Sequence, residues 1–198
     1  MSSVFGLEYE TPPEWVARVE REPLALLSDH AHCELRAAAS AQALIVRNPR
    51  RTAFVAEMLE LAQEELAHFG QVTRALAARG GTLDHKSPNP YADQLLSRSV
   101  ADRGDAFLDR LLIAGLIEAR SLERFHLLAT HLRDADLAQL YRGLLPSESR
   151  HHTLFLDCAR EVFGPQRAEQ RWVRLRALEA EIVAALPWAA RIHSGPPA

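Results

Sequence analysis

Cysteine is scarce in this sequence: Cys33 and Cys158 are the only two, and both fall inside segments with a helical pattern. A disulfide framework uses more cysteines than this, so we expect two reduced, buried thiols. The cysteine cluster that would hold an iron–sulfur centre is also missing. The sequence has no glycine-rich dinucleotide-binding motif either. If the protein carries out redox chemistry, its electrons must therefore come from an external donor.

Long apolar runs are absent as well. The best run, Leu111 to Ile117, is bracketed by Arg110 and Glu118 and falls far short of the roughly 20 residues that span a bilayer. The N-terminus, MSSVFGLEYE, lacks the basic start and continuous apolar core of a secretory signal. Hydrophobic residues make up 47% of the chain, which excludes a disordered class. We therefore expect a folded cytoplasmic protein without a membrane span.

Lysine is nearly missing, because only Lys86 among the 23 basic residues is a lysine. The net charge is −3, so the overall field does not attract nucleic acid and any RNA contact depends on local basic groups. Such clusters at helix ends are usually just solvated. The candidates lie at the first predicted hairpin turn and in the predicted crossover: Arg47, Arg50, Arg51, His85 and Lys86.

The pattern of residues along the chain is helical. Alanine and leucine dominate, and apolar residues recur every three or four positions. We predict a single domain over residues 1–198 with a four-helix core at about 24–163. Its long helices cover about 24–46, 52–79, 106–132 and 134–163, with a short helix near 12–20 and a C-terminal helix at about 166–186.

Single residues refine this prediction. Thr52 should cap the second long helix, and Pro146 should kink the fourth. The tail SGPPA should fray. On the last helix, Trp172 should anchor the helix to the bundle, whereas Arg167, Arg171 and Arg174 repeat along one face and predict a solvated stripe.

The connection between the second and third long helices is long. Residues 80–105 contain turn formers, two prolines and a short amphipathic piece at about 91–97. Two helical hairpins joined by one crossover is the connectivity of a ferritin-like four-helix bundle. We therefore expect an all-α, ferritin-like four-helix bundle with extra N- and C-terminal helices, although connectivity alone does not distinguish it from other bundles.

The motif Glu-x-x-His occurs twice, in EELAH at 64–68 and in ESRHH at 148–152. Positions three apart lie on one face of a helix, so Glu65 with His68, and Glu148 with His151, each offer an oxygen and a nitrogen in one direction. A single pair would be best explained as a solvated glutamate beside a surface histidine. Two pairs make a shared metal site the better explanation.

The other helix of each predicted hairpin has a carboxylate at about the same height along the bundle as the Glu-x-x-His pair. The turn RNPRR centres near residue 49, so the residue opposite Glu65 lies near position 33, where Glu34 is found. The second turn centres near residue 134, and the point opposite Glu148 lies near 120, within half a helical turn of Glu118.

All six side chains share helix faces with apolar residues and should point into the bundle. Four buried carboxylates need cations to compensate them, and hard oxygens with imidazole suit iron or manganese. A bundle without metal is disfavoured because buried charge is rarely left uncompensated. The arrangement is that of di-iron and di-manganese carboxylate bundles, with the predicted ligands Glu34, Glu65, His68, Glu118, Glu148 and His151.

These residues also carry a family resemblance. The segments LLSDHAHCELRAAASAQALI, MLELAQEELAHFGQVTRALAARGG, RLLIAGLIEARSLERF and LLPSESRHHTLF resemble the tRNA 2-methylthio-N6-isopentenyladenosine hydroxylase family. The resemblance implies two iron ions, O2 as co-substrate, an external reductase, and hydroxylation of the isopentenyl group on a modified adenosine beside the tRNA anticodon. It also implies terminal carboxylates at Glu34 and Glu118, and bridging ones at Glu65 and Glu148.

Several points stay open. Some other di-iron monooxygenases have threonine one turn after the third-helix glutamate, where this chain has Leu122 beside Ser121. His30 lies one turn before Glu34 and could support it, although such a histidine is more often structural. The alternatives are a lipid or aldehyde oxidase with a long apolar tunnel, and an iron-storage or peroxide-handling protein, which needs a large assembly. For the hydroxylase we expect a monomer or a small oligomer.

Overall fold

The computed structural model describes residues 5–100 and 105–197, and every regular element in these ranges is a helix. The helices are α1 (Glu14–Val19), α2 (Pro23–Arg47), α3 (Thr52–Ala78), α4 (Pro90–Val100), α5 (Ala106–His131), α6 (Ala135–Phe163) and α7 (Pro165–Ala185). All the predicted helices are found, and α4 is the amphipathic piece of the crossover. Of that crossover, 101–104 lie outside the described residues. None of the described helices is long and apolar enough to cross a membrane.

Helix ends follow local chemistry. Asp105 and Asp134 each accept hydrogen bonds from two backbone amides of the turn that they begin, so they cap α5 and α6. Thr52 was expected to cap α3, but this prediction is wrong: Arg51 occupies the cap position without a side-chain hydrogen bond, and Thr52 is the first helical residue. α6 continues as one helix through Pro146.

The chain forms two compact units. The α2–α3 unit comprises residues 19–87 and 190–192. Its two long helices are joined by the short turn at residues 48–51 and pack as a hairpin. The buried residues recur at three- and four-residue intervals in α2 from Ala31 to Leu44, and α3 shows the same spacing in Met58, Leu61, Glu65, His68 and Val72. This periodicity is the physical reason that the sequence predicted these two helices, and the short turn between them predicted the hairpin.

The α5–α6 unit comprises residues 1–18, 88–189 and 193–198, where described. α5 and α6 form its hairpin, and α4 and α7 pack on them. Every residue from 118 to 125 of α5 is buried, so this part of the helix is enclosed on all sides. Trp172 of α7 is 6% exposed, and its ring centroid lies 6.0 Å from that of His152, which agrees with its expected anchoring role.

A buried ionic network occupies the centre of this unit. The Arg120 side chain is fully buried and forms a bidentate ion pair with Glu179 of α7, at 2.9 Å for both nitrogen–oxygen pairs. It also donates to Glu123, to the Thr11 hydroxyl and to the carbonyl of Tyr9. Burial alone would lower the pKa of Arg120, but Glu179 and Glu123 raise it above its ordinary value. The network joins α5 to α7 and to the N-terminal segment.

Arg171 was expected in a solvated stripe, and that expectation is wrong. The Arg171 side chain is buried and forms a bidentate pair with Asp109 of α5, at 2.7 and 2.9 Å, and it donates to the carbonyl of Ser99. The neighbouring Arg167 and Arg174 are exposed, as predicted. A spacing of three or four residues places side chains near one another on the helix. It does not show which of them forms an ion pair with a buried carboxylate.

The tail was expected to fray from Ser194 onwards, and this expectation is also wrong for Ser194. In the α5–α6 unit, Ser194 is 3% exposed, its carbonyl accepts from Arg124 at 2.7 Å, and its hydroxyl accepts from Trp15 at 3.1 Å. In the α2–α3 unit, the fully buried Ile192 donates its amide to Asp29 at 2.9 Å. The C-terminal segment is therefore held by specific polar contacts.

Candidate metal centre

The α2–α3 unit contains three of the six predicted ligands. Glu34 of α2 is 4% exposed, and Glu65 and His68 of α3 are 1% and 6% exposed. Nδ1 of His68 lies 3.8 Å from Oε2 of Glu34 and 3.8 Å from Oε2 of Glu65. One donor atom from each of the three residues lies within 4.8 Å of the others. The predicted opposition of Glu34 and Glu65 across the hairpin turn is therefore present in this unit.

Glu34 is ionised in this setting. Burial raises its pKa, but polar interactions with the neighbouring Glu65, His30 and His68 outweigh burial and lower the pKa from 4.5 to about 2. A carboxylate that remains charged although buried is a suitable ligand for a cation.

The α5–α6 unit contains the other three predicted ligands. Glu118 of α5 is 6% exposed, and Glu148 and His151 of α6 are both 2% exposed. A carboxylate oxygen of Glu118 and a ring nitrogen of His151 lie within 4.8 Å of each other. Glu148 precedes His151 by three residues on the same helix, so both project from one face. Each unit thus offers two carboxylates and one imidazole. The first helix of each hairpin supplies one glutamate, and the second supplies a Glu-x-x-His pair.

The donor set fits iron. All six side chains are at most 6% exposed, and the set consists of carboxylate oxygens and imidazole nitrogens without a thiolate. Such a mixture of hard oxygen and imidazole donors suits iron or manganese better than a closed zinc site. Two buried carboxylates in each unit also supply the negative charge that a divalent ion requires.

Ser121 of α5 follows the predicted ligand Glu118 and forms a polar pair with His193 of the C-terminal segment. Ser121, three residues later, is 6% exposed, and its hydroxyl lies 3.1 Å from Nε2 of His193. The ring of His193 stacks on Tyr91 with centroids 4.9 Å apart. Leu122 is buried beside Ser121. The sequence singled out Ser121, but it contained no local signal for a partner 72 residues away.

The five RNA candidates are exposed and all belong to the α2–α3 unit: Arg47, Arg50, Arg51, His85 and Lys86. They lie at opposite ends of α2. The Asp84 amide donates to Ser28 near the start of the helix, whereas Arg47 ends it. At 1.5 Å per residue, Ser28 and Arg47 are about 28 Å apart. The two basic sets therefore do not form one continuous patch.

Comparison with known proteins decides the family. The family model described as tRNA-(MS[2]IO[6]A)-hydroxylase (MiaE) matches residues 3–194. The chain belongs to this family. The match confirms the resemblance inferred from the motif segments, and the six predicted ligands fall within the matched residues.

Two family relatives have the same name, tRNA 2-(methylsulfanyl)-N(6)-isopentenyladenosine(37) hydroxylase. The protein of Pseudomonas putida (strain KT2440) is 37% identical over 188 residues, which are 94% of this chain and 91% of the relative. That of Salmonella typhimurium (strain LT2) is 29% identical and covers 97% of this chain and 88% of the relative. The similarity thus extends over nearly the full length of both relatives.

A solved structure is similar to this MiaE family member as well. It is described as Protein 43 with aldehyde deformylating oxygenase activity from Synechococcus. The identity is 35%, the TM-score is 0.88, and the match covers 96% of each chain. The match and the helical content confirm the predicted all-α, ferritin-like fold class.

Proposed function

We propose that the protein is an O2-dependent di-iron monooxygenase that hydroxylates the isopentenyl side chain of 2-methylthio-N6-isopentenyladenosine in tRNA. One observation carries the proposal: the chain belongs to the tRNA hydroxylase family over residues 3–194. The relatives named for this reaction are similar over nearly their whole length. The buried Glu and Glu-x-x-His sets in both units support the iron-dependent chemistry.

Residues 1–198 would form a single ferritin-like domain that holds two iron ions. Glu34, Glu65, Glu118 and Glu148 would supply the carboxylate ligands. His68 and His151 would supply the nitrogen ligands. When bound, the iron pair supplies the activation of O2 that insertion of oxygen into a carbon–hydrogen bond requires.

The overall reaction converts R–H, O2, two electrons and two protons into R–OH and water. The chain has no dinucleotide motif and only two cysteines, so an external reductase would supply the electrons. The protein itself would position the ligands and exclude water from the site. Water would be excluded by buried apolar side chains on the ligand-bearing helices, among them Met58, Leu61, Leu122 and Phe125.

The tRNA substrate would contact basic groups at both ends of the α2–α3 unit. Arg47, Arg50 and Arg51 would form one contact at the hairpin turn, and His85 with Lys86 a second contact beyond α3. Because these groups would bind phosphates, tRNA affinity should fall as the salt concentration rises. A tRNA substrate also implies that the enzyme acts in the cytoplasm.

The test is to incubate the iron-loaded protein with tRNA that carries the prenylated adenosine, a chemical reductant and O2. Digestion to nucleosides and mass spectrometry should show one added oxygen atom on that adenosine. The same tRNA without its isopentenyl group should remain unchanged. If the iron-loaded protein leaves the prenylated adenosine unchanged, the proposed substrate is wrong.

A second candidate is the oxidation of a long-chain aldehyde. It is favoured by the 35% identity to the Synechococcus protein with aldehyde deformylating oxygenase activity. The same loaded protein should be incubated with a long-chain aldehyde, and loss of the aldehyde measured by gas chromatography. Turnover of the aldehyde without turnover of tRNA would favour this candidate.

Iron storage would instead require a large symmetric assembly, which size-exclusion chromatography detects.

A further inference from the structure

His30 of α2 has no exposed surface and contacts the first proposed ligand directly. Its Nε2 lies 2.5 Å from Oε1 of Glu34, one helical turn later. The other oxygen of Glu34, Oε2, lies on the side of His68, 3.8 Å from that residue's Nδ1. The two oxygens of Glu34 therefore have different neighbours: one is held by His30, and the other faces the ligand group of the α2–α3 unit.

We propose that His30 is a positioning residue that holds Oε1 of Glu34 and so presents Oε2 to iron. The inference rests on the proposed di-iron function and adds a residue to it. A glutamate side chain has several rotatable bonds, and fixing one carboxylate oxygen removes much of this freedom before the metal binds. Hydrogen-bond partners of carboxylate ligands tune metal affinity in this way.

The backbone that carries His30 is itself anchored within the α2–α3 unit. Ser28 accepts a hydrogen bond from the amide of Asp84 at 3.0 Å. The carboxylate of Asp29 accepts from the Ser87 hydroxyl at 2.6 Å and from the Ile192 amide at 2.9 Å. The loop after α3 and the C-terminal segment therefore both fix this turn of α2, and His30 projects from a fixed backbone.

His32 provides a matched comparison on the same helix. It lies two residues after His30 and is partly exposed, and its Nε2 contacts the carbonyl of Asp84 at 2.9 Å. It points towards the loop rather than towards a ligand. Replacing His32 therefore changes the same residue type in the same turn of α2 without removing a contact to a carboxylate ligand.

The experiment compares His30→Leu, His30→Gln and His32→Leu with the wild type. Each metal-free protein is titrated anaerobically with Fe(II), and the visible absorption spectrum of its Co(II) form is recorded. His30→Leu should weaken metal binding by about 10- to 100-fold and shift the Co(II) bands, because Glu34 loses its fixed orientation. His30→Gln retains a donor of similar reach and should recover most of the affinity. His32→Leu should bind metal as the wild type does.

The outcomes separate this inference from the proposed function. A folded His30→Leu variant with wild-type affinity and an unchanged Co(II) spectrum would overturn the role of His30 alone. Wild-type protein that binds no metal would refute the proposed function itself, and with it this inference. If circular dichroism shows that His30→Leu does not fold, the His30→Asn variant is used in its place. The asparagine side chain is too short to reach Glu34, so this variant should also bind metal weakly.

Discussion

Replacing Arg120 with leucine should destabilise the protein strongly. Arg120 is fully buried, and each of the five N–H donors of its guanidinium meets an acceptor. Its removal leaves two carboxylates in the core without the cation that contacts both of them directly: Glu179 is fully buried and Glu123 is 4% exposed. Arg124 also interacts electrostatically with both carboxylates, so the loss of Arg120 leaves one cation beside two anions, and the neutral hydrogen-bond donors that remain do not compensate the second charge.

The magnitude follows from the burial of this network. Removing one member of a buried ion pair costs about 3–5 kcal/mol, because the charge that remains is uncompensated. Total unfolding free energies are about 5–15 kcal/mol, so the loss is a large fraction of the stability. For a chain of this size, about 2–4 °C is lost per kcal/mol, which gives a decrease in Tm of roughly 6–20 °C.

Urea denaturation followed by circular dichroism measures this loss, with Arg98→Leu as the control. Arg98 pairs with Glu181 at 2.8 Å, a similar distance, but the two side chains are 43% and 66% exposed. Exposed pairs contribute less than about 1 kcal/mol, so this variant should unfold almost as the wild type does. If Arg120→Leu lost no more stability than Arg98→Leu, the reasoning from burial would be refuted.

Three other variants test the ligands and the basic groups. Glu65→Ala should abolish iron binding and tRNA hydroxylation, as measured by elemental analysis and nucleoside mass spectrometry, whereas Glu60→Ala on the exposed face of α3 should retain both. Arg50→Ala should keep bound iron and weaken only tRNA binding in a filter assay, with a smaller salt dependence. Because the folded pKa of Glu34 is depressed, its contribution to the stability of the metal-free protein is present above pH 4.5 and is lost as the pH falls towards about 2. Acid denaturation should therefore be shallower in Glu34→Gln, and an unchanged slope would contradict the lowered pKa.

The helices, and the burial of the six proposed ligands, could be predicted because both follow from periodicity. A helix that buries one face repeats its apolar residues every three or four positions, and the Glu-x-x-His pairs fit the same spacing. Reflection through the first turn found Glu34 opposite Glu65, since both helices of that hairpin rise equally per residue. The structure places both residues in one ligand group.

Contacts between distant segments left no such pattern. Arg171 donates to Asp109, which is 62 residues away in the sequence, and the amide of Ile192 donates to Asp29, which is 163 residues away. A charged residue on a helix face looks the same in sequence whether solvent or a buried acid lies opposite it. The support that His30 gives to Glu34 has a signal, their spacing of four residues, but that spacing occurs equally in histidines with a purely structural role.

The metal content of the protein purified from iron-supplemented cells, measured per chain by elemental analysis, tests the di-iron assignment most directly. We predict about two irons per chain in the wild type, because the chain offers two sets of two carboxylates and one imidazole. We also predict loss of that iron in Glu65→Ala and in Glu148→Ala. A wild-type protein without bound metal, or variants that keep all their iron, would contradict the di-iron assignment.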